Sequence, residues 1–383
     1  MRNRYFDFLR FLAIVRVVGY HATTWAFLSI ALPAMSVMFA LAGSLMAASL
    51  DRAGRGPVRA GPVAVRRRLR RLLPSLWLLA ALFVPAMLLT GLPVSWRLLL
   101  WIVPIADAPS NGWGALALSA IWYLRDYLWF VLASPLALWL FRRYPLITLL
   151  APYALLAVVE FALPAAPQPV REFGLYFGAW LLGFAHHDGL LRRLSRRSLL
   201  LIAGLLCAAG GGWIYTHPGP RGFDLNDIPL GNALWSAGFV LLALGLAPAS
   251  FAWLARRPVL NRTVTVLNSR ALTIYLWHMP IVIALAALGA HVDLERNTPV
   301  GLALHVVAVA LLVAVAVLLF GWVEDLAAGR RPVLVPAAPA PRDPARSAAA
   351  PAPRDTPESA SAPARTAPAQ RAGDHVGTDP VRP

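Results

Sequence analysis

Long apolar runs recur along the whole chain and decide what it can fold into. Only 14% of the 383 residues are charged and 58% are hydrophobic, whereas a soluble domain carries about 25% charged residues. Too few charged side chains are present to cover a water-facing surface of this size. We therefore expect an all-α, polytopic membrane helix bundle of about ten transmembrane helices. The predicted spans are Phe6–Leu28, Pro33–Leu50, Leu72–Thr90, Ala120–Phe141, Leu146–Leu163, Phe173–Ala185, Leu199–Tyr215, Leu230–Leu246, Ala271–Leu288 and Pro299–Trp322.

Arginine is distributed unevenly among the linkers, and this predicts orientation. Alternate linkers are rich in arginine, at 52–71, 142–143, 192–197 and 256–262, whereas the opposite linkers hold Arg171, Arg221 and Arg296. The positive-inside rule places the rich linkers in the cytoplasm and, with ten spans, both termini as well. The net charge of +17 is then a property of membrane topology. Nucleic acid is not an expected partner, because the elements that read bases are missing.

The composition changes near Ala327, and this marks a domain boundary. Beyond it Pro, Ala, Arg, Asp and Ser predominate without periodicity. A segment of this kind cannot bury enough apolar surface to fold. We predict a transmembrane domain over residues 1–326 and a disordered cytoplasmic tail over residues 327–383.

The first predicted span carries polar residues that are costly inside a membrane. An arginine at the centre of a span costs about 2.5–3.5 kcal/mol. Arg10 and His21 are about three helical turns apart, so they share a face at a separation of about 16 Å. Asp7 lies one turn before Arg10 and can balance its charge. Arg16 falls off that face, and the pattern assigns it no role.

The shared face of Arg10 and His21 favours a functional site over a structural one. Taken alone, each residue has an equally good structural explanation. Arg10 can extend to the lipid headgroups, and His21 can be a hydrogen-bonded residue in the packing between helices. A neutral imidazole is a suitable general base near neutral pH, and a buried guanidinium suits a phosphate or carboxylate. A transporter or flippase that uses Arg10, Arg16 and His21 as a polar path is the alternative. It predicts broken helices at matching places in two halves, which the sequence does not show.

An arginine cluster at the start of the third predicted span is a second candidate site. At helical spacing, Arg66, Arg67, Arg70 and Arg71 form an electropositive patch at the membrane surface. The patch suits a phosphorylated cytosolic donor. Topology and contact with anionic lipid explain it equally well.

Five blocks of sequence resemble, in order, motifs of the membrane acyltransferase-3 family. They cover about residues 5–323 and are YFDFLRFLAIVRVVGYH, MFALAGSLMAASLDR, RRRLRRLLPSLW, IWYLRDYLWFVLASPL and TIYLWHMPI. The resemblance implies about ten spans and transfer of an acyl group, commonly acetyl from acetyl-CoA, to a sugar or related acceptor. By position it implies that His21 is the catalytic histidine and Arg10 its partner.

Further residues are expected near the site. We expect acyl-CoA as the donor substrate with no bound cofactor, its phosphates near Arg10 and the arginine cluster, and a carbohydrate or glycosylated acceptor. Helix packing remains an alternative for Ser44, and a polar packing pair for Tyr275 and His278. Many relatives have a glutamate close to the position of Asp126, which leaves its role open. The possible site-lining residues are Asp7, Ser44, Arg125, Asp126, Tyr275 and His278.

Two weaker groups carry polar side chains. His186, His187 and Asp188 look metal-like, but adjacent histidines on a helix point apart, so no metal site is expected. His217, Asp224, Asn226 and Asp227 lie in one outer linker. They could contact an acceptor, although a solvated loop is the favoured interpretation.

Overall fold

The computed structural model describes residues 4–54, 56–248, 250–291 and 298–336, and within these ranges the fold is all-helical. Its α-helices are α1 (Arg4–Thr23), α2 (Phe27–Ala31), α3 (Ala34–Asp51), α4 (Pro57–Leu89), α5 (Gly112–Ala117), α6 (Trp122–Arg143), α7 (Pro145–Ala162), α8 (Gln168–His187), α9 (Leu190–Arg193), α10 (Arg196–Thr216), α11 (Pro229–Gly245), α12 (Ala252–Ala255), α13 (Pro258–Ser269), α14 (Ala271–His291), α15 (Pro299–Phe320) and α16 (Trp322–Ala327). The all-α class predicted from the sequence is confirmed.

Seven helical segments of the described chain are long and apolar enough to cross a membrane. They are Phe27–Asp51, Pro57–Leu89, Ser119–Arg143, Pro145–Ala162, Arg196–Thr216, Ala271–Ala290 and Pro299–Phe320. The other three predicted spans correspond to α1, α8 and α11. These are helical, but α1 and α8 carry charged residues and α11 is shorter. A polytopic helical bundle is therefore supported, while the count of ten stays a prediction.

Proline and capping side chains explain where several helices begin. Proline lies in the first turn of α4, α7, α8, α11, α13 and α15, where a missing N–H leaves no hydrogen bond unmade. The Ser195 and Thr298 side chains accept from the amides of Ser198 and Gly301 and cap α10 and α15. With 33 residues, α4 is about 50 Å long. This exceeds the hydrocarbon core of about 30 Å, so α4 is longer than a single membrane crossing requires.

Helix α8 lies at the centre of the bundle, with residues 174–185 all buried. Trp180 is fully buried and donates to the Ser134 hydroxyl of α6 at 2.9 Å. Helices α3 and α8 approach so closely that a Cβ on Gly183 would lie 2.1 Å from the Ala40 carbonyl oxygen. Only glycine fits at such a contact. This packing fixes α3 against α8 and so positions the elements around the site.

The two ends of the bundle differ in chemistry. At one end Arg142 donates to the carboxylates of Asp51 and Asp188 at 2.7–2.9 Å and ties together the C-terminal ends of α3, α6 and α8. We call this the arginine end. At the opposite end, the last turns of α1 and the first turns of α6, α8 and α11 surround His21. We call this the histidine end.

The chain after α15 folds back onto the arginine end. Asp325 forms a buried ion pair with Arg270 at 2.7 Å and accepts from the Val333 amide at 3.2 Å. Arg330 adds a further ion pair to Asp325 at 3.0 Å. These contacts extend the folded part past the boundary that we predicted at residue 326. The rest of the predicted tail, residues 337–383, lies outside the described residues.

Candidate functional site

A cavity of about 360 Å³ lies at the histidine end. It is enclosed by α1, α3, α6, α8, α11 and α14, together with the linker before α11. Its wall combines one histidine with charged groups, amides and aromatic rings, and such a mixture suits a polar small molecule. The polar and aromatic lining residues are Arg16, Tyr20, His21, Ser119, Trp122, Gln168, Arg171, Glu172, Tyr176, Arg221, Asn226 and Tyr275.

Hydrogen bonds fix the tautomer of His21. Its Nδ1 lies 2.9 Å from the Val17 carbonyl oxygen one turn earlier on α1. Since a carbonyl oxygen only accepts, Nδ1 carries the proton and Nε2 keeps the lone pair. The ring lines the cavity. An imidazole held in this way can take a proton from a group bound there.

His278 lies behind His21 and is fully buried. Its Nδ1 donates to the Tyr275 carbonyl oxygen at 2.6 Å, which leaves Nε2 as an acceptor. That Nε2 is 3.2 Å from His21 Nδ1. The Tyr275 hydroxyl donates to the Ala120 carbonyl at 2.7 Å and holds α14 against the start of α6. The structure thus brings His21, Tyr275 and His278 together from distant parts of the chain.

A network that the sequence did not predict supports the other side of α1. The Tyr20 hydroxyl donates to the Asp224 carboxylate and accepts from Arg221 at 2.8 Å. Asp224 is 1% exposed, so the interpretation of this linker as a solvated loop is wrong for this residue. Arg221 also binds Asp227 and holds the pKa of that carboxyl below its usual range. Asn226 lines the cavity, whereas His217 stacks on Trp213 at 3.9 Å between ring centroids.

Arg125 and Asp126 form a buried ionic cluster beside the cavity. The Arg125 guanidinium binds Asp126 at 3.0 Å and also contacts Glu172 and Asp107. Glu172 lines the cavity, and its link to Arg125 joins α6 to α8. The predicted pair therefore reaches the site through Glu172, which the sequence analysis had not singled out.

At the arginine end the four predicted donor-binding arginines line one cavity of about 450 Å³. These exposed residues, Arg66, Arg67, Arg70 and Arg71, share the cavity with Ala327, Ala328 and Gly329. The side chain of Arg68 turns away and donates to the Tyr127 hydroxyl at 3.3 Å. The i, i+3 and i+4 spacing of the sequence thus predicted one face of α4 correctly.

Between the two ends lies a narrow, largely apolar cavity of about 20 Å³. Ala13, Ile14 and Val17 of α1 line it, with Tyr275 and His278 from α14 on the facing side. These α1 residues fall between Arg10 and His21 in the sequence, so the cavity lies along the same stretch of helix. Its volume corresponds to about one water-sized group.

Arg10 and Asp7 lie toward the other end of α1. Arg10 is near enough to Tyr123 for the two to interact electrostatically. The carboxylate of Asp7 pairs with Arg4 at 3.0 Å, and its carbonyl accepts from Asn268 at 2.7 Å. The balance of charge between Asp7 and Arg10 that we inferred from spacing stays a prediction.

Ser44 and the histidine pair of α8 belong to the arginine end. The Ser44 hydroxyl is 3.1 Å from His186 Nδ1, not near His21. The side chains of Asp51, His187 and Asp188 approach within 4.8 Å of one another. Arg142 pairs with the carboxylates of Asp51 and Asp188, so a guanidinium already serves as the counter-ion of both. His186 points elsewhere, as expected for adjacent residues on a helix.

Comparison with known proteins identifies the family. The sequence model described as an acyltransferase domain, for acyltransferase family 3, matches residues 3–322. The chain belongs to the acyltransferase-3 family. No curated protein and no solved structure matches it in the corresponding comparisons. The five sequence blocks thus identified the family correctly.

The matched acyltransferase domain contains the cavity at the histidine end and the four arginines of the arginine end. The match begins before α1 and runs to the start of α16, so it includes His21, His278 and the arginines of α4. Family membership and the apolar helices together support a membrane acyltransferase.

Proposed function

We propose that this protein transfers an acyl group, with acetyl as the first candidate, from cytosolic acyl-CoA to a hydroxyl of a carbohydrate or glycosylated acceptor. His21 acts as the general base. The observation that carries the proposal is the state of His21, whose Nδ1 is occupied by a carbonyl while its ring lines a cavity large enough for a sugar residue.

The cavity at the histidine end is the proposed acceptor site. Trp122 and Tyr176, whose rings stack on each other at 5.3 Å between centroids, give the wall an aromatic part. Gln168 and Asn226 offer amide groups that can pair with hydroxyls. A carbohydrate presents both apolar ring faces and many hydroxyls. The composition of this wall therefore favours a carbohydrate over a purely apolar acceptor.

The arginine cavity is the proposed site for the CoA phosphates. Four guanidinium groups attract a polyanion and can bind phosphate oxygens in pairs. We infer from the arginine-rich linkers that this end faces the cytosol, where acyl-CoA is found. Arg10 lies on α1 toward this arginine end, about three helical turns before His21.

The narrow cavity between the two ends is the proposed route of the pantetheine arm. Because this cavity lies beside His278, a thioester that enters it from the arginine end reaches His21. A volume of about 20 Å³ is too small for the arm. Helices α1 and α14 must therefore separate when the donor binds.

The proposed reaction is a direct transfer. His21 Nε2 takes the proton of the acceptor hydroxyl, and the oxygen attacks the thioester carbonyl. The tetrahedral intermediate collapses, the carbon–sulfur bond breaks, and the CoA thiolate leaves. His21 returns its proton to the thiolate, which gives acylated acceptor and free CoA. A covalent acyl-histidine is a variant of this scheme.

The test is transfer of label from acetyl-CoA in proteoliposomes. We expect His21→Ala to lower the rate by about 10²–10⁴-fold, the range for loss of a general base. His217→Ala is the matched control, since this exposed histidine packs on Trp213 away from the cavity. Thermal unfolding of both variants checks that the fold is intact.

The outcomes separate the enzyme from the transporter. Transfer near the wild-type rate in His21→Ala would contradict the proposed role of His21. Movement of solute without consumption of acyl-CoA would favour the transporter instead.

A further inference from the structure

The charged side chains on the wall of the acceptor cavity differ in whether an oppositely charged residue contacts them. Arg171 pairs with Glu160 at 3.2 Å, Glu172 pairs with Arg125, and Arg221 pairs with Asp227 at 2.6 Å. Each of these charges has an oppositely charged side chain in direct contact, although Glu172 shares the single guanidinium of Arg125 with Asp107 and Asp126. Arg16, which lines the same cavity, is the exception.

The guanidinium of Arg16 is held in place but has no carboxylate in direct contact within the described residues. Its Nε donates to the Leu28 carbonyl at 2.9 Å, and its Cζ lies 4.9 Å from the centre of the Tyr20 ring. Within the described residues no carboxylate lies within 4.0 Å of Arg16, and neither Nη atom makes a hydrogen bond. Asp224 acts on Arg16 only through space, because its carboxylate is bound by Tyr20, Asn226 and Arg221.

A small polar recess of about 10 Å³ opens beside Arg16. Its other polar lining residues are neutral, and they are Ser29, Ser36, Tyr176, Asn226 and Asn232. The Ser36 hydroxyl is buried and has no hydrogen-bond partner in the described chain. Buried polar atoms are normally paired, so this orphaned hydroxyl indicates that the recess receives a polar group.

An arginine in the cavity wall without a direct counter-ion requires an explanation. Charged residues within membrane helices are expensive and usually mark a substrate site. With Nε engaged, the two Nη atoms are left as a fork of donors, and a carboxylate matches that fork in geometry and charge. A phosphate presents the same pairs of oxygens to this fork, so the experiment below includes a phosphate as a separate probe.

We propose that the acceptor carries a carboxylate, which Arg16 binds while a hydroxyl on the same sugar residue reaches His21. Five residues separate Arg16 from His21 on α1, which corresponds to about 7.5 Å along the helix axis and about 140° around it. Both side chains nevertheless line the same cavity of about 360 Å³, which has room for one monosaccharide. The substrate class is therefore a sugar acid. This inference rests on the proposed function, because it names the acceptor of the same site.

The test compares an acid with its neutral counterpart. Methyl β-glucuronide and methyl β-glucoside are titrated into the purified full-length protein by calorimetry, with glucose 6-phosphate as the phosphate probe. We expect the wild type to bind the glucuronide about 10- to 100-fold more tightly than the glucoside, as for one charge-assisted contact. Arg16→Gln should reduce that preference to less than about threefold.

Two further variants control for charge and fold. Arg16→Lys keeps the charge without the fork and should retain part of the preference. Arg97→Gln removes the same charge from an exposed arginine that does not line the cavity and should retain the preference. Thermal unfolding curves for each variant exclude a general loss of structure.

The possible results decide between the two proposals. Equal or absent binding of acid and neutral sugar, preference for the phosphate, or an undiminished preference in Arg16→Gln would each overturn the inference. Labelled acetyl-CoA is supplied with the same sugars in parallel. Selective binding without transfer would support the acid site and contradict the acyltransfer proposal. Transfer to both sugars with no preference would do the reverse.

Discussion

His278 Nε2 lies 3.2 Å from His21 Nδ1, and the two rings come from helices at opposite ends of the sequence. His21 Nδ1–H therefore faces two acceptors, the Val17 carbonyl and the His278 ring. When Nε2 accepts a proton, the positive charge spreads over the imidazolium, and both acceptors stabilise it. His278 is thus a positioning residue that acts through His21.

Replacing His278 tests this relationship. We expect His278→Leu to lower kcat about 10- to 100-fold, since a hydrogen bond to a charged group contributes about 1.5–3 kcal/mol. KM for acceptor and donor should change little. His278→Gln restores an acceptor atom and should recover part of kcat. Steady-state kinetics of both variants provide the measurement, and equal activity of the two would contradict the role.

The arginine cavity predicts how the donor is recognised. We expect Arg70→Gln combined with Arg71→Gln to raise KM for acetyl-CoA about tenfold, because each exposed ion pair contributes up to about 1 kcal/mol. The matched control is Arg59→Gln, an exposed arginine on α4 that does not line the cavity. Kinetics at two salt concentrations provide the measurement, since exposed charge interactions weaken with salt.

Acetyl-dephospho-CoA adds a specific comparison. This donor lacks the 3′-phosphate, so the double variant should affect its KM less than that of acetyl-CoA. An equal effect on both donors would show that Arg70 and Arg71 do not recognise the 3′-phosphate.

Features that depend on one helix alone were predictable from the sequence. The shared face of Arg10 and His21 follows from helical periodicity, and α1 is continuous from Arg4 to Thr23. The same periodicity placed Arg66 and Arg70 around one cavity. Length and apolar content likewise predicted most of the spans.

Features that depend on contact between distant helices were not predictable. Tyr20 binds Asp224, and Arg125 binds Glu172 across two helices. A single sequence carries no information on which helices pack together or at what register. Arg16 illustrates the difficulty. Its angle on α1 differs from that of His21, yet the cavity is wide enough to include both.

The narrow cavity between the ends can be blocked by a larger side chain. Ala13 is fully buried and lines that cavity. We expect Ala13→Phe to lower kcat/KM for acetyl-CoA at least about tenfold while binding of the acceptor is retained. Val15 lies on the same helix but is 47% exposed, so Val15→Phe adds a similar volume away from the cavity. An equal loss in both variants would indicate a general packing defect.

The ion pair between Asp325 and Arg270 predicts a pH-dependent stability. Burial alone would raise the pKa of Asp325, but Arg270, the Val333 amide and Arg330 together hold it below its usual range. A carboxyl with a depressed pKa contributes stability above its unfolded value of about 3.9, and this is lost as the pH falls through the folded pKa.

Asp325→Asn should therefore destabilise the protein by about 3–5 kcal/mol at pH 7, because it leaves the buried Arg270 without its counter-ion. The difference from wild type should shrink below about pH 4. Thermal unfolding in detergent at pH 7 and at about pH 3.5 provides the measurement. Asp227→Asn, which breaks a pair with the exposed Arg221, should cost less than about 1 kcal/mol. If Asp325→Asn is as stable as wild type at pH 7, the folding of the segment after α15 does not depend on this ion pair.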